Sequence, residues 1–389
     1  MPKSATRKKA TAQPETIESI PEHDLVGCHL PFYIFCSIMS AFSKLEDKDF
    51  GVLLLEHGET ADDCLPVWSF PSATPQIQHL ACARCAQSKG ETPFVYFKYK
   101  SDWVYCLTMP TAFRGIPSGS VCVITKNFNP EKWFAVLQVL FEQYSSSSNS
   151  DPTKILEGYL SLITTGHFSN AAGTVALASF ADVDATSNQT QTNTMKDLVS
   201  MLGIDAVVLW NAVLLKKRIL VLSDSASKLF PVLRTLPLLA PAHRRDFTVL
   251  RPLVSADQEY HIEDLQSAGV WIAGTTDTDM AGHSTVDVLL NLSERRVIVT
   301  THAVAEMKMC AAHREVAAIM NELAESGSSS SSSADMIEAV GKKTADILSS
   351  LRAIGGEAGK LSEAAINARV TNEASQQWLL RLAGAEGLV

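Results

Sequence analysis

Three groups of residues have the types and spacing of known chemical sites, and the first resembles a phosphoryl-transfer loop. Asp182, Asp184 and Thr186 follow an apolar run in the spacing of a DxDxT loop. In such loops one carboxylate attacks phosphorus and both carboxylates lie near Mg2+. The chain offers no recognisable downstream lysine and acidic pair, and the flanking Thr, Asn and Gln residues are typical of a loop. We therefore predict that this group is not catalytic.

The second group consists of two glycine motifs, each of which lacks a glycine that its chemistry requires. Residues 282–284 (Gly-His-Ser) begin like the nucleophile elbow of a hydrolase, but Val286 stands where the strained turn needs glycine. Residues 341–342 (Gly-Lys) resemble the end of a phosphate-binding loop, but Met336 replaces its upstream glycine. The sequence therefore predicts no catalytic residues and no nucleotide cofactor.

The third group could bind a metal ion. Cys82 and Cys85, with His79 just before them, supply sulfur and nitrogen ligands of the kind that zinc prefers. A second ligand pair at zinc-finger spacing is missing, and all three residues fall on a predicted helix. We interpret the cysteines as core or surface residues and predict no metal site.

Composition and charge restrict the classes of function that remain. The chain has 389 residues and a net charge of −9, which argues against nucleic-acid binding because that requires a basic stripe to neutralise phosphates. The eight cysteines are mostly scattered singly among apolar residues, a pattern that suits a reducing, intracellular compartment. Without a catalytic constellation, we expect the protein to work through surfaces that bind other proteins.

One stretch, residues 195–223, organises the elements that would position any such surface. It reads as a helix, a break at Gly203, a second helix that ends in the basic residues 216–218, and a continuous apolar run at 219–222. The run is too short for a helix, so it predicts a strand that is buried on both faces. A helix that leads into a buried strand and is followed by another helix predicts an α/β sheet.

The preceding region, 49–144, predicts a small sheet flanked by helices in a longin-like arrangement. Asn129 and Pro130 have the types expected at the cap and first turn of its last helix. The predicted strands are 51–56, 65–70, 94–99, 103–108 and 121–126, and the predicted helices are 74–87 and 130–144. The serine-rich residues 145–150 predict a flexible linker to the next lobe.

Residues 151–301 alternate between helical and strand patterns, which predicts one central α/β lobe. Beyond 219–222 its predicted strands are 174–180, 247–253, 270–274, 286–292 and 296–300, and its predicted helices include 151–165, 225–239 and 257–268. Residues 302–389 predict C-terminal helices interrupted by a serine linker at 327–333. Their apolar stripes either cover the α/β lobe or form an exposed coiled-coil docking face, and we favour the first alternative.

The N-terminus divides into a polar tail and an apolar segment. Residues 1–24 have too few apolar side chains to fold and predict a disordered tail. Residues 25–48 include a run at 25–42 without any Asp, Glu, Lys or Arg, whose length is marginal for a bilayer span. The basic residues that precede it would place the rest of the chain outside the cytosol. We favour a buried or surface-docked segment over membrane insertion.

Seven short motifs, each weak alone, together resemble DENN domain proteins in their order and spacing. They are VWSFPS at 67–72, FVYFKYKSDWVY at 94–105, NFNPEKW at 127–133, LLKKRILV at 214–221, RTLPLL at 234–239, DFTVL at 246–250 and VWIAG at 270–274. The resemblance implies a longin-like lobe, then an α/β central lobe, then helices. This fold agrees with the α/β architecture predicted independently above.

The resemblance also implies a function and a cellular location. DENN domain proteins generally act on Rab-type small GTPases, so it implies a guanine-nucleotide exchange factor that works through a binding surface. The alternative is a non-catalytic adaptor subunit of an endosomal coiled-coil assembly of the Commander type. In either case it implies a cytoplasmic protein, peripheral on endosomes or late endosomes.

Two sets of residues bear on partner binding. Arg244, Arg245 and Asp246 form a charged triplet beside a strand entrance, and we predict that they contact the partner, although a plain solvated loop has the same pattern. Many DENN domains carry an acidic residue where this chain has Lys216 and Lys217, and a tryptophan near residues 242–243, which are Ala and His here. These departures from the family pattern concern exchange activity rather than the fold.

Overall fold

The structure is a computed structural model that describes residues 50–60, 63–87, 93–113, 115–146, 151–180, 194–240, 247–325, 332–355 and 361–389. All of these residues belong to one compact unit, Glu46–Val389. The predicted tail at 1–24 and the apolar run at 25–42 lie outside the described residues.

The first lobe is built on an antiparallel sheet of five strands, in the order β2-β1-β5-β4-β3. Its strands are β1 (Phe50–His57), β2 (Cys64–Phe70), β3 (Phe94–Tyr99), β4 (Asp102–Pro110) and β5 (Ser118–Thr125). The inner strands are apolar along both faces; Leu53, Leu54 and Leu55 are all fully buried. A sheet of this kind needs helices on both sides.

Two helices, α1 (Pro75–Gln87) and α2 (Pro130–Ser145), pack directly on this sheet. The helix α3 (Thr153–Thr165) and the hairpin of β6 (His167–Asn170) and β7 (Gly173–Ala176) pack on α2. Asn129 caps α2 by accepting a hydrogen bond from the Lys132 N–H, and Pro130 lies in its first turn, as the sequence predicts. The α3 helix packs on α2, and the Tyr159 hydroxyl donates to the Phe50 carbonyl at 2.9 Å. The helical layer is thereby joined to β1.

The second lobe is built on a mixed sheet in the order β12-β11-β8-β10-β9. Its strands are β8 (Ile219–Leu222), β9 (Leu250–Arg251), β10 (Ile272–Thr275), β11 (Val288–Asn291) and β12 (Arg296–Val299). The first four run parallel and β12 is antiparallel at the edge. The predicted strand at 219–222 is confirmed, and it forms the middle of the sheet with every residue buried.

The two faces of β8 enter two separate cores, because successive side chains point to opposite sides of a strand. Ile219 and Val221 belong to the large core that also contains the helices α4 (Thr194–Leu202), α5 (Ala206–Leu214) and α6 (Ala226–Thr235). Leu220 and Leu222 belong to a smaller core on the side of α7 (Glu259–Ser267). The predicted α/β class is confirmed.

The C-terminal helices are α8 (Ala311–Glu325), α9 (Ser333–Gly355), α10 (Glu363–Arg369) and α11 (Glu373–Ala385). Their apolar stripes face inward: Val316, Leu348 and Leu382 are fully buried. Trp378 of α11 donates a hydrogen bond to the Asn211 side chain of α5 at 2.9 Å. The favoured interpretation, that these stripes cover the α/β lobe, is confirmed for the described helices.

One described helical stretch, Thr194–Leu214, is long and apolar enough to meet the length and composition criteria for a membrane span, with a mean hydropathy of 1.6. It comprises α4, α5 and the short turn between them, and 61% of its most apolar window is buried inside the protein. Core helices of folded proteins pass the same criteria, and this stretch packs beneath α8 and α9.

Several predicted elements are wrong in extent. The strand predicted at 247–253 consists only of Leu250 and Arg251, because residues 247–249 form a 3-10 turn and Leu253 has a left-handed backbone (φ +56°). The strand predicted at 174–180 ends at Ala176, and the helix predicted at 225–239 changes to 3-10 after Thr235, where Pro237 has no N–H to donate. The predicted C-terminal helical region begins at residue 302, but residues 302–310 form turns and an irregular stretch, and the first helix starts at Ala311.

Candidate functional site: the junction between the lobes

The predicted partner-binding residues Arg244, Arg245 and Asp246 lie outside the described residues, but both flanks of their segment are described. On one side Ala240 is fully buried at the end of a 3-10 turn. On the other side the Phe247 ring stacks on Phe128 of the first lobe, with ring centroids 4.8 Å apart. The segment thus ends where the two lobes meet. We call this region, where β3, the β3–β4 turn and the start of α2 meet α6, β9 and α7, the lobe junction.

Three aromatic pairs cross the lobe junction. Besides Phe128 and Phe247, Tyr96 of β3 stacks on Phe230 of α6 with centroids 4.2 Å apart. A third pair, Tyr99 and Tyr260, has centroids 4.6 Å apart. Each such pair adds roughly 0.5–1.5 kcal/mol beyond the area that it buries. The lobes are therefore held by packed rings, and a partner would meet them as one surface.

An ion pair lies beside the central ring pair. Glu131, in the first turn of α2, accepts a hydrogen bond from Arg234 of α6, with Oε1 and Nη1 2.6 Å apart. The Arg234 side chain is only 8% exposed, so loss of its carboxylate partner would leave a buried positive charge. Burial raises the pKa of the adjacent Tyr96, although the Arg234 charge partly opposes that shift. Tyr96 is therefore a neutral phenol at any physiological pH.

A second polar contact joins α1 to α7. Arg84 and His261 are both buried, with Arg84 Nη2 3.3 Å from His261 Nδ1, and the Ser255 N–H also donates to this nitrogen at 3.3 Å. Burial, reinforced by the Arg84 charge, lowers the pKa of His261 to about 4. Burial also lowers the pKa of Arg84 to about 10, against the opposing charges of Asp257 and Asp277. At neutral pH the pair is therefore a charged arginine that donates to a neutral imidazole.

Backbone groups complete the junction. Lys98 of β3 donates through Nζ to the Thr248 carbonyl, and the Lys100 N–H donates to the Tyr260 hydroxyl. Arg251 donates through Nη1 to the same Thr248 carbonyl at 2.6 Å and forms an ion pair with Asp264. Lys98 and Arg251 therefore bring two positive side chains to the Thr248 carbonyl, next to Phe247 in the chain.

The chemical motifs of the sequence do not assemble a catalytic site within the described residues. Asp182, Asp184 and Thr186 lie outside them. Gly282 ends a 3-10 turn and the following residues lead into β11, whereas a nucleophile elbow joins a strand to a helix. Gly341 is buried in the middle of α9 and Lys342 follows it on the same helix, so no phosphate-binding loop exists at that position.

Two of the basic residues that follow α5 have structural partners. Lys217 pairs with Glu306, and Arg218 pairs with Asp287, with Nη2 and Oδ1 2.8 Å apart. His302 Nε2 lies 3.0 Å from the same Asp287 oxygen. Burial alone would raise the pKa of Asp287, but the hydrogen bonds from Arg218 and His302 outweigh it and lower the pKa to about 2. These residues join β8 to β11 and to the segment before α8.

The sequence did not predict which residues pair across the junction. Arg84 and His261 are 177 positions apart, and neither belongs to a motif. Tyr96, Phe128, Arg234 and Phe247 lie in the short motifs at 94–105, 127–133, 234–239 and 246–250, and the first two of these motifs are dense in aromatic residues. Such density predicts a contact, but it does not identify the element that is contacted.

Several known proteins are similar to this chain over most of its length. Residues 123–301 match the family model of DENN domain-containing protein 11. The chain is 28% identical over 337 residues to DENN domain-containing protein 10 of Danio rerio, covering 84% of this chain and 94% of the relative. It is 29% identical over 353 residues to the Homo sapiens protein of the same name, covering 87% and 96%, and 26% identical over 377 residues to that of Dictyostelium discoideum, covering 90% and 100%.

Proposed function

Because the chain belongs to the DENN domain family, whose members typically bind Rab-type small GTPases, we propose that it is a guanine-nucleotide exchange factor for a Rab. The single observation that carries this proposal is the family membership. We propose further that it acts in endosomal recycling and late-endosomal traffic, as a cytoplasmic protein that associates peripherally with those membranes.

Exchange is a reaction that a surface alone can accelerate. An exchange factor binds the nucleotide-free GTPase more tightly than the nucleotide-bound form, so the bound nucleotide leaves faster. No nucleophile, metal or cofactor of the exchange factor is needed. What the reaction does need is a surface that keeps its shape, because only differential binding shifts the equilibrium.

The lobe junction supplies such a surface. Its stacked rings and the Glu131–Arg234 pair fix the two lobes against each other. Lys100 is exposed at its rim, and Phe247, which directly follows Asp246 in the chain, stacks on Phe128 within it. We propose that this segment and the rim around Lys100 contact the Rab.

The test measures release of a fluorescent GDP analogue from a full panel of purified Rab proteins. We expect one or a few Rabs to release nucleotide roughly tenfold faster or more, which corresponds to about 1.4 kcal/mol of differential binding. The double variant Arg244→Glu/Arg245→Glu should lose most of this acceleration. No acceleration of any Rab by the folded wild-type protein would refute the exchange function.

A matched control exists on the opposite edge of the second sheet. Arg295, in the turn between β11 and β12, and Arg296, the first residue of β12, are both exposed, whereas the junction adjoins β9 at the other edge. The variant Arg295→Glu/Arg296→Glu changes the charge equally and should leave exchange unaltered. Equal loss in both double variants would mean that overall charge matters and not the proposed contact.

One observation favours a second candidate, the adaptor in an endosomal coiled-coil assembly. The edge strand β2 exposes apolar side chains: Leu65 is 67% exposed and Val67 45%. An exposed apolar edge is a surface that other chains can pair with. If the adaptor function is correct, pull-downs without nucleotide should recover the assembly in stoichiometric amounts, and Leu65→Glu/Val67→Glu should abolish this recovery without changing exchange.

A further inference from the structure

Three cysteines from separate elements meet inside the first lobe. Cys106 of β4 and Cys122 of β5 face each other across the sheet, and Cys85 of α1 lies over them. Their sulfur atoms all lie within 4.8 Å of one another, and all three residues are fully buried. None of the three forms a disulfide bond. We call this group the trithiol cluster.

From this arrangement we propose that the trithiol cluster binds a single thiophilic monovalent ion of the copper(I) type, held by Cys85, Cys106 and Cys122. Of the sequence motif Cys82 and Cys85, only Cys85 belongs to this cluster. The Cys82 thiol contacts the Cys64 carbonyl at 3.6 Å, and the other two sulfurs of the cluster come from Cys106 and Cys122.

The spacing of the sulfur atoms fits three-coordinate binding. A metal–sulfur bond of about 2.3 Å in a trigonal plane would place the sulfurs about 4 Å apart. The observed upper limit of 4.8 Å requires shifts of less than about 1 Å, which rotation about the side-chain bonds can supply.

The number and type of ligands favour copper(I) over zinc. Thiolate sulfur is a soft ligand that selects copper(I) and zinc, and structural zinc sites almost always have four ligands. Among the described residues, the cluster contains three sulfurs and no fourth ligand of the His, Cys, Asp or Glu type. His57 is close, but its Nε2 contacts the Ser120 hydroxyl at 2.6 Å, so it borders the cluster.

Because the thiolate and not the thiol is the metal ligand, the cysteine thiols that bond to the ion release their protons to solvent as the metal–sulfur bonds form.

Because the cluster is sealed beneath α1, we expect the ion to enter while the chain folds. The full-length protein is therefore produced in copper-supplemented cells, purified without oxygen and challenged with an excess of a copper(I) chelator. Wild type should retain about one copper per chain. Cys106→Ser and Cys122→Ala should each retain roughly tenfold less or lower. X-ray absorption of the wild type should show three sulfur neighbours.

Two matched controls test whether cysteines in general are responsible. Cys310 is buried in the second lobe, and Cys64 is half-buried in the first; Cys310→Ala and Cys64→Ser should retain copper like wild type. The proposal is overturned if folded wild type loses its copper to the chelator, if it retains zinc instead, or if absorption shows fewer than three sulfurs. It is also overturned if Cys106→Ser and Cys122→Ala retain as much copper as wild type. Copper retention and X-ray absorption of the wild type test the proposal even if a variant fails to fold.

Discussion

Asp287 connects three parts of the chain through one carboxylate. It accepts hydrogen bonds from the Arg218 side chain and backbone, and His302 lies within 3.0 Å of it. The low pKa of Asp287 in the folded protein, about 2 against an ordinary value of 3.8, means that the folded state binds the proton more weakly than the unfolded state. Its contribution to stability is therefore complete above about pH 4 and is lost as the pH falls toward 2.

The substitution Asp287→Asn tests this contribution. We expect the free energy of unfolding to fall by roughly 2 kcal/mol at about pH 7, and the difference from wild type to shrink below about pH 4. Urea denaturation at several pH values measures it. Asp346→Asn, an exposed carboxylate on α9, should change the unfolding free energy by less than about 0.5 kcal/mol. A deficit in Asp287→Asn that does not depend on pH would contradict the explanation.

For individual residues, the sequence predicted local roles better than it predicted which residues would be in contact. The basic residues 216–218 were expected to end a helix, but the helix ends at Leu214 and these residues follow it. The carboxylate that pairs with Arg218 lies 69 positions later in the chain. Likewise the sequence spacing associates Cys85 with Cys82, whereas in the structure Cys85 lies beside Cys106 and Cys122. Pairing across the fold depends on strand order, and one-dimensional spacing does not contain it.

Among the elements, β10 and α6 pack so closely that glycine is required between them. A Cβ atom on Gly274 would lie 2.4 Å from Leu233 Cδ1 and 3.0 Å from Leu229 Cγ. Both leucines are fully buried and have no room to withdraw. This explains the glycine that ends the VWIAG motif, which in the sequence only marked the end of a strand.

Gly274→Ala should accordingly destabilise the protein by about 1–3 kcal/mol, the usual range for overpacking a core. Gly269 provides the comparison, since a Cβ there would meet nothing within 4 Å; Gly269→Ala should be neutral or slightly stabilising. Urea denaturation compares the two variants. Equal stability of both would show that α6 can move away from the sheet without loss.

Elements with strong local patterns were predicted well, and those fixed by tertiary contacts were not. The strand at 219–222 has the predicted bounds because four apolar residues lie between two clear breaks. The strand predicted at 247–253 is shorter because β9 pairs with β10 through only two residues, Leu250 and Arg251. How many residues pair depends on the neighbouring strand. The β-like composition of 247–253 therefore overestimates the length of this strand.

For the whole molecule, the decisive contact is the one between the lobes. The sequence predicted two sheets with their helices, which the structure confirms as a class, but it did not predict how the sheets meet. The ring pairs and the Arg84–His261 contact join positions separated by more than a hundred residues. The domain boundaries, the bound Rab and the endosomal location remain predictions.

A double-mutant cycle tests whether the lobes unfold together. Tyr96→Leu and Phe230→Leu, alone and combined, should show a coupling of about 0.5–1.5 kcal/mol in a single urea transition. The pair Phe113 and Tyr144, whose centroids lie 5.1 Å apart within the first lobe, calibrates the size of such a coupling. Two separate transitions, with each variant shifting only one, would mean that the junction does not unite the lobes.

Trp378 donates a hydrogen bond to Asn211, which lies 167 positions earlier in the chain. The ribosome therefore releases α5 long before the residue that closes over it has been synthesised. A nascent chain that stops short of α11 would leave Asn211 and the rings around it open to chaperones and proteases.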